Sequence, residues 1–167
     1  MGDSCSGCLL RWSWRGAEFS RTMLIIGPGV VEWVAKRTHE FGNYGAAQGI
    51  GWKDKGEIVA GVVYSDFNGV NCLMHVAAVG SRWLRREYLW TCFDYPFNQL
   101  KLRRVTGLVG EGNTQARRFD EHLGFELETT LKLAHPSGDL LVYVMWREKC
   151  RWLKRENLYP NRLGMAA

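Results

Sequence analysis

Residues 111–125 read EGNTQARRFDEHLGF and follow directly on the run RRVTGLV at 103–109. The Val-rich run has the composition of a strand. The stretch after it opens at Asn113, a residue that caps helix N-termini with its side-chain oxygen, and stops at Gly124, the residue that most easily turns left-handed. Between them Ala116, Phe119 and Leu123 keep helical spacing, with Gln115 or Asp120 on the flanking face. A strand thus feeds a capped helix of about three turns. What the N-terminus of that helix points at is the functional question.

Working outward, MLIIGPGVVEWVAKRTH at 23–39 reads as a short strand, a turn at Gly27-Pro28 and a helix whose first turn holds Pro28. YGAAQGIGW at 44–52 reads as extended, and KDKG at 53–56 as a turn. EIVAGVVYSDF at 57–67 is a strand, and DFNG at 66–69 closes a hairpin into VNCLMHVAAV at 70–79. Gly80 and Ser81 end that strand. Ser81 is a natural N-cap, which predicts a helix over RWLRREYLWTCFDYPF ending near Pro96. After the opening helix, FELETTLKLA and LLVYVMW form two strands joined by a turn at HPSGD, 135–139. REKCRWLKRENLY at 147–159 predicts a last helical piece. The strands at 71–79 and 103–110 are joined through a helix and are therefore expected to be parallel, with a right-handed crossover. The fold class is α/β: a mixed, mostly antiparallel sheet with one parallel pair, covered by helices.

The 167 residues suit one domain, with 46% hydrophobic residues and eight Trp. Residues 1–22 lack both periodicity and the apolar run of a signal peptide, so they are expected to be a leader or non-native extension before a single domain at 23–167. No run reaches the ~18–20 apolar residues of a membrane span. Five Cys without a framework, two of them in apolar runs (Cys72 and Cys92), point to free thiols in a reducing, cytoplasmic compartment. Cys5 and Cys8 form a lone C-x-x-C, and the His at 39, 75, 122 and 135 show no ligand spacing, so no metal is expected. The net charge of +5 permits a phosphorylated ligand or nucleic acid. No G-x-S-x-G, H-E-x-x-H, P-loop or G-x-G-x-x-G is present. The chemistry expected needs neither a metal nor a covalent intermediate.

NTQARRFDEHLGF, with Asn113, Ala116, Gly124 and Phe125 in place, resembles the last-helix motif of the GNAT superfamily of acetyl-CoA-dependent N-acetyltransferases. The strand order over roughly 23–150 is similar to that fold, and DLLVYVMWREKCRWL at 139–153 resembles the branch of ribosomal-protein N-terminal acetyltransferases. The resemblance implies two parallel strands that splay apart, with the pantetheine arm of coenzyme A along the first strand and the pyrophosphate on backbone N–H groups at the next helix. It places acetyl-CoA against Val76, Ala77, Ala78, Gly80, Ser81, Arg82, Trp83, Leu84, Arg85, Asn113, Ala116 and Phe119. GSRWLRR at 80–86 departs from the family's Gly-rich phosphate loop, the usual glycines falling on Arg82, Leu84 and Arg86; Ser81, Arg82 and Arg85 would supply the phosphate contacts instead.

Many members carry a Tyr acid seven residues after the Asn. Here that residue is Asp120, ionised unless buried, so the usual acid is missing. The ribosomal-protein branch has a Ser at the position of Ala116 and a Glu base at the position of His135. Three residues are therefore candidates for acid or base work: His135, His75 and Glu111. Each has a plain structural role open to it: a turn histidine, a core histidine, and a carboxylate stabilising a helix N-terminus. The expected function is acetyl transfer to an amine, of a protein or a small molecule, by direct attack in a ternary complex, by a chain able to form a homodimer. A non-catalytic module of the same fold binding coenzyme A or a protein partner, and a basic nucleic-acid-binding protein, are the alternatives.

Overall fold

The computed structural model describes residues 22–38 and 44–154. The expected leader at 1–22 lies outside them except for Thr22, as do Cys5, Cys8, His39 and the end of the expected last helical piece. The element order is β1 (Thr22–Ile26), α1 (Pro28–Ala35), β2 (Gln48–Asp54), β3 (Glu57–Ser65), β4 (Leu73–Ala78), α2 (Arg86–Asp94), β5 (Arg104–Gly110), α3 (Thr114–Leu123), β6 (Glu126–His135) and β7 (Gly138–Trp146). One π-helical turn at Tyr95–Gln99 follows α2, and two 3-10 turns follow β7. The strands form one seven-stranded sheet in the order β1-β2-β3-β4-β5-β7-β6. Among the described residues only β4 and β5 are parallel; every other pair is antiparallel.

The KDKG turn places Lys55 and Gly56 at φ 53° and 89°. Two successive left-handed residues suit the right-handed twist of a tight hairpin. The glycines of 44–61 have a second purpose. A Cβ on Gly61 would lie 2.6 Å from Val34 Cγ2, and one on Gly51 2.8 Å from Val30 Cγ2. Those bare positions let α1 settle directly on β2 and β3, so Val30 and Val34 are buried in a small cluster with Tyr44, Val63 and Ala77.

The opposite face of the sheet carries the larger core. Tyr88, Phe93 and Phe97 from α2 and the turn after it pack with Tyr64, Val105, Leu123 and Tyr143. The buried phenols are satisfied: Tyr88 donates to the Ile50 carbonyl at 2.9 Å, and Tyr64 donates to the Cys92 carbonyl. Cys72, Cys92 and Cys150 are buried free thiols, and burial pushes the first two up to about 12.

The helix after β4 begins four residues later than its sequence predicts. Ser81 is not its N-cap; the position is taken by Arg85, whose side chain makes no capping bond. The cause is Trp83. Its ring is buried between Tyr88 and Phe119, with centroids 6.0 and 5.5 Å away, and its indole N–H donates to the Gly80 carbonyl at 2.8 Å. A helix starting at Ser81 could not turn that large ring back beneath the strand end. Burying an indole outweighs one capping bond.

Candidate active site

The parallel pair is joined at a single position, Leu73 opposite Thr106. The Thr106 N–H donates to the Cys72 carbonyl at 2.9 Å, and its hydroxyl donates to Asn71 Oδ1 at 2.9 Å, which pins the closed end. Beyond it, β4 stays paired with β3 as far as Ala78, and β5 with β7 as far as Gly110. The two strands therefore part company, and their facing backbone edges border a cleft of about 870 Å³. Met74 to Ala78 line one side and Gly107 to Gly110 the other.

Helix α3 closes one end. Asn113 Oδ1 accepts the Ala116 N–H at 3.0 Å, and Gly124 at φ 105° ends the helix, with the Phe125 N–H returning to the Asp120 carbonyl at 2.9 Å. Asn113, Gln115, Ala116, Phe119 and Asp120 all face the cleft. Gly80, Ser81, Trp83 and Leu84 contribute from the loop after β4. Of the residues expected to hold acetyl-CoA, Arg82 and Arg85 alone do not line it. Arg82 is exposed and reaches Asp54 at 3.5 Å. Arg85 is exposed at the start of α2. Arg37 and Thr38, in the turn just after α1, do line it. Nothing in the sequence connects that distant helix end with the cleft.

Three candidate acid–base residues fall in different places. His75, 8% exposed, lines the cleft, meets the Tyr44 ring at a tilt of 36° with 4.4 Å between centroids, and has Nε2 3.1 Å from Ser65 Oγ. Burial drives its pKa down to about 4 against an opposing pull from Asp66. The imidazole is therefore neutral at pH 7. His135 ends β6 instead. Its Nδ1 accepts the Ser137 N–H at 3.2 Å and lies 2.8 Å from Ser137 Oγ, and its ring covers Gly110, where a Cβ would meet it at 2.8 Å. It stabilises the β6–β7 turn and is not among the cleft-lining residues. Glu111 is exposed just past β5; its N–H donates to the Asp139 carbonyl at 2.9 Å, and it too stands outside the cleft lining.

Asp120 is the residue that the sequence undervalues. Its Oδ2 lies 3.4 Å from where a Cβ on Gly107 would stand, so the carboxyl fits against the one bare position in that part of β5. Burial, with the neighbouring Glu121 charge adding to it, raises its pKa from 3.8 to about 7. The spacing from Asn113 marked the position, but only packing supplies the burial that holds a proton there. The cleft thus carries a neutral imidazole on β4 and, on α3, a carboxyl that burial makes easier to protonate. Among the described residues no group of three or more His, Cys, Asp or Glu could hold a metal ion, and no helix is long and apolar enough to cross a membrane.

No protein-family profile matches the sequence, and no curated protein matches it either. Solved structures do. The chain is similar to a point mutant of the spermidine N-acetyltransferase SpeG from Vibrio cholerae, with a TM-score of 0.63 and 16% identity over 82% of this chain and 99% of that one. It is similar to the spermidine N-acetyltransferase of Vibrio cholerae in complex with CoA and spermine, at a TM-score of 0.60 and 14% identity, over 81% and 99% of the two chains. A probable acetyltransferase gives 0.54 and 17% over 68% and 67%. At such identities the likeness is one of architecture, and it agrees with the strand order and the single parallel pair: the chain has the GNAT N-acetyltransferase fold.

Proposed function

We propose that this chain transfers an acetyl group from acetyl-CoA to an amine. The observation that carries the reading is the splayed β4–β5 cleft, because it places an unpaired strand edge, a neutral imidazole and a protonatable carboxyl on one cavity. The backbone of Met74 to Ala78 fits the amide-bearing arm of coenzyme A, as any exposed strand edge fits an extended chain with alternating donors and acceptors. Gly80, Ser81 and the first residues beyond them offer backbone N–H groups for the phosphates. Acetyl-CoA supplies the activated acyl group, a thioester whose carbonyl an amine can attack directly.

The chain's own residues do three things. The strand edge and α3 hold both substrates close together, which by itself removes much of the barrier to a two-substrate reaction. His75, uncharged and facing the cleft, takes the proton that leaves nitrogen as the N–C bond forms. Asp120, protonated through much of its population near pH 7, gives a proton to the sulfur as the C–S bond breaks. A carboxyl with an ordinary pKa would be ionised and could donate nothing. Acceptors to compare are a protein α-amine, as in the ribosomal-protein branch, and a polyamine, as bound by the Vibrio enzyme.

Calorimetry with acetyl-CoA, followed by thiol release with a panel of amines, tests the reading. Binding with turnover is expected. Binding with no thiol release on any amine would favour a non-catalytic module, and no binding would remove the assignment altogether.

A further inference from the structure

The cleft opens on both faces of the sheet. Side chains alternate along a strand. In β4, Ala77 joins Val30, Val34 and Val63 on the α1 face, while Met74 and Val76 join the core on the α2 face. His75 therefore shares the α1 face, where its neighbour Tyr44 also packs. Trp83, Ala116 and Phe119 wall the cavity on the α2 side, and Arg37 and Thr38 border it on the α1 side. Two openings suit two substrates. The loop after β4 and α3, on the α2 side, are the cofactor's neighbours in the acetyltransferase reading. The α1 side is left for the acceptor.

What the α1 border offers is a cation. A helix C-terminus ordinarily presents bare carbonyls, which attract an ammonium group. Here they are covered. Arg37 Nη1 donates to the Trp33 carbonyl at 3.1 Å. The Val34 carbonyl accepts the N–H groups of Arg37 and Thr38 at 2.8 and 3.0 Å and the Thr38 hydroxyl at 3.1 Å. The Arg37 guanidinium also lies 3.8 Å from the centroid of the Trp33 ring, which steadies the side chain. Its bond to Trp33 uses one of the five N–H groups of the fork. Among the described residues that line the cleft, Arg37 is the one with a permanent positive charge, and the one acidic side chain, Asp120, is drawn in against Gly107. The net charge of the whole chain, +5, has the same sign as Arg37, so the long-range field favours an anion over a polycation.

We propose that Arg37 selects the acceptor: the amine acetylated by this chain carries a carboxylate, which Arg37 binds on the α1 side of the cleft, and polyamines are poor substrates. The inference rests on the acetyltransferase reading. A guanidinium gives a carboxylate two parallel N–H bonds, so it anchors the acceptor at one end while the amine at the other end meets the thioester. Arg37 touches the end that does not react and takes no part in proton transfer. The phosphates of acetyl-CoA are the other anions in the cavity, and the reading puts them at Gly80 and Ser81. Thr38, next to Arg37, is bonded to the Tyr44 hydroxyl, and the Tyr44 ring lies on His75. His75 is five residues before Gly80, ~16 Å along an extended strand, which favours the acceptor as the partner of Arg37.

The test uses the full chain with saturating acetyl-CoA and three acceptors of one length: δ-aminovalerate, pentylamine and cadaverine, whose far ends are anionic, apolar and cationic. Alanine-initiated tripeptide amides with Glu, Gln or Lys second repeat the series on a longer acceptor. In whichever series turns over, kcat/KM should be about tenfold or more higher for the anionic member than for the cationic one. Arg37→Gln should abolish that preference, Arg37→Lys should retain part of it, and Arg37→Glu should reverse it. A wild type that acetylates the cationic member as well as the anionic one refutes the proposal and leaves the acetyltransferase reading standing. An Arg37→Gln variant that keeps the preference also refutes it. A lower melting temperature in that variant would then show that Arg37 serves only as a helix cap, and a tenfold loss of acetyl-CoA affinity by calorimetry that it meets the cofactor's phosphates. If the wild type acetylates neither series, the reading fails and takes this inference with it.

Discussion

Replacing Asp120 by Asn separates the cost of that carboxyl from its use. The carboxyl's pKa moves from 3.8 in the open chain to about 7 in the fold, because burial penalises the charge. Between those two values the folded chain holds a proton that the unfolded chain has released. Stability from this group is therefore fully present below pH 3.8 and is lost as pH rises through 7. A difference of about three pH units corresponds to ~4 kcal/mol, and partial access to water at the cleft wall brings the expected value to ~2–4 kcal/mol. Asn has nearly the same shape and no charge to bury. Asp120→Asn should therefore match the wild type near pH 4 and exceed it by ~2–4 kcal/mol at pH 8, read as the difference between urea melts of the two proteins at each pH. The same variant should lose at least ~100-fold in kcat, with acetyl-CoA affinity within twofold, because the proton donor is gone. A stability difference that is the same at pH 4 and pH 8 would refute the burial argument. Unchanged kcat would refute the acid.

Other positions offer independent checks. Asn113→Asp keeps the helix cap and should fold near normally, yet bind acetyl-CoA or turn over more weakly, since it replaces the amide donor with a negative charge; Asn113→Ala should also lose ~0.5–2 kcal/mol by thermal melting. Gly61→Ala sets a methyl 2.6 Å from Val34 Cγ2 and should cost ~1–3 kcal/mol in chemical denaturation, with no such loss at the open turn position Gly112. Arg82→Ala removes an exposed side chain that reaches Asp54 and not the cleft, so calorimetry should find coenzyme A affinity changed less than threefold; a larger loss confined to the phosphorylated ligand would show that Arg82 swings over to meet it.

Much of the architecture was legible because local signals agreed. The Asn113 cap, the Gly124 stop and the KDKG turn each depend on one or two residues and their own backbone, and all appear as read. The parallel pair followed from a crossover rule that needs only element order. Failures came where a distant surface decided. Ser81 had the right chemistry for a cap, but Trp83 needed the core, and the core was stronger. His135, a candidate by its position in the chain, sits against Ser137 and Gly110 at the β6–β7 turn and does not line the cleft. Asp120 was marked by spacing and set aside by charge, because the burial that reverses its protonation belongs to tertiary structure. Arg37 and Thr38 reach the cleft from the turn after α1.

The single joint between β4 and β5 has a mechanical meaning. On the α2 side, a shared core that includes Ile50, Val62, Val105 and Tyr143 glues the two half-sheets together. On the α1 side, the packed cluster draws, among the described residues, on residues 25–77 and on none from β5 to β7. The molecule is a book bound along one edge of its spine. A ligand lying along the open edge acts as an eighth strand, and its occupancy becomes part of the fold's cohesion: at a hundred times its Kd it would add ~2.7 kcal/mol to the folded state. Amide exchange along Met74 to Ala78 and Gly107 to Gly110 should then slow most on filling the cleft, because those are the pages it holds shut.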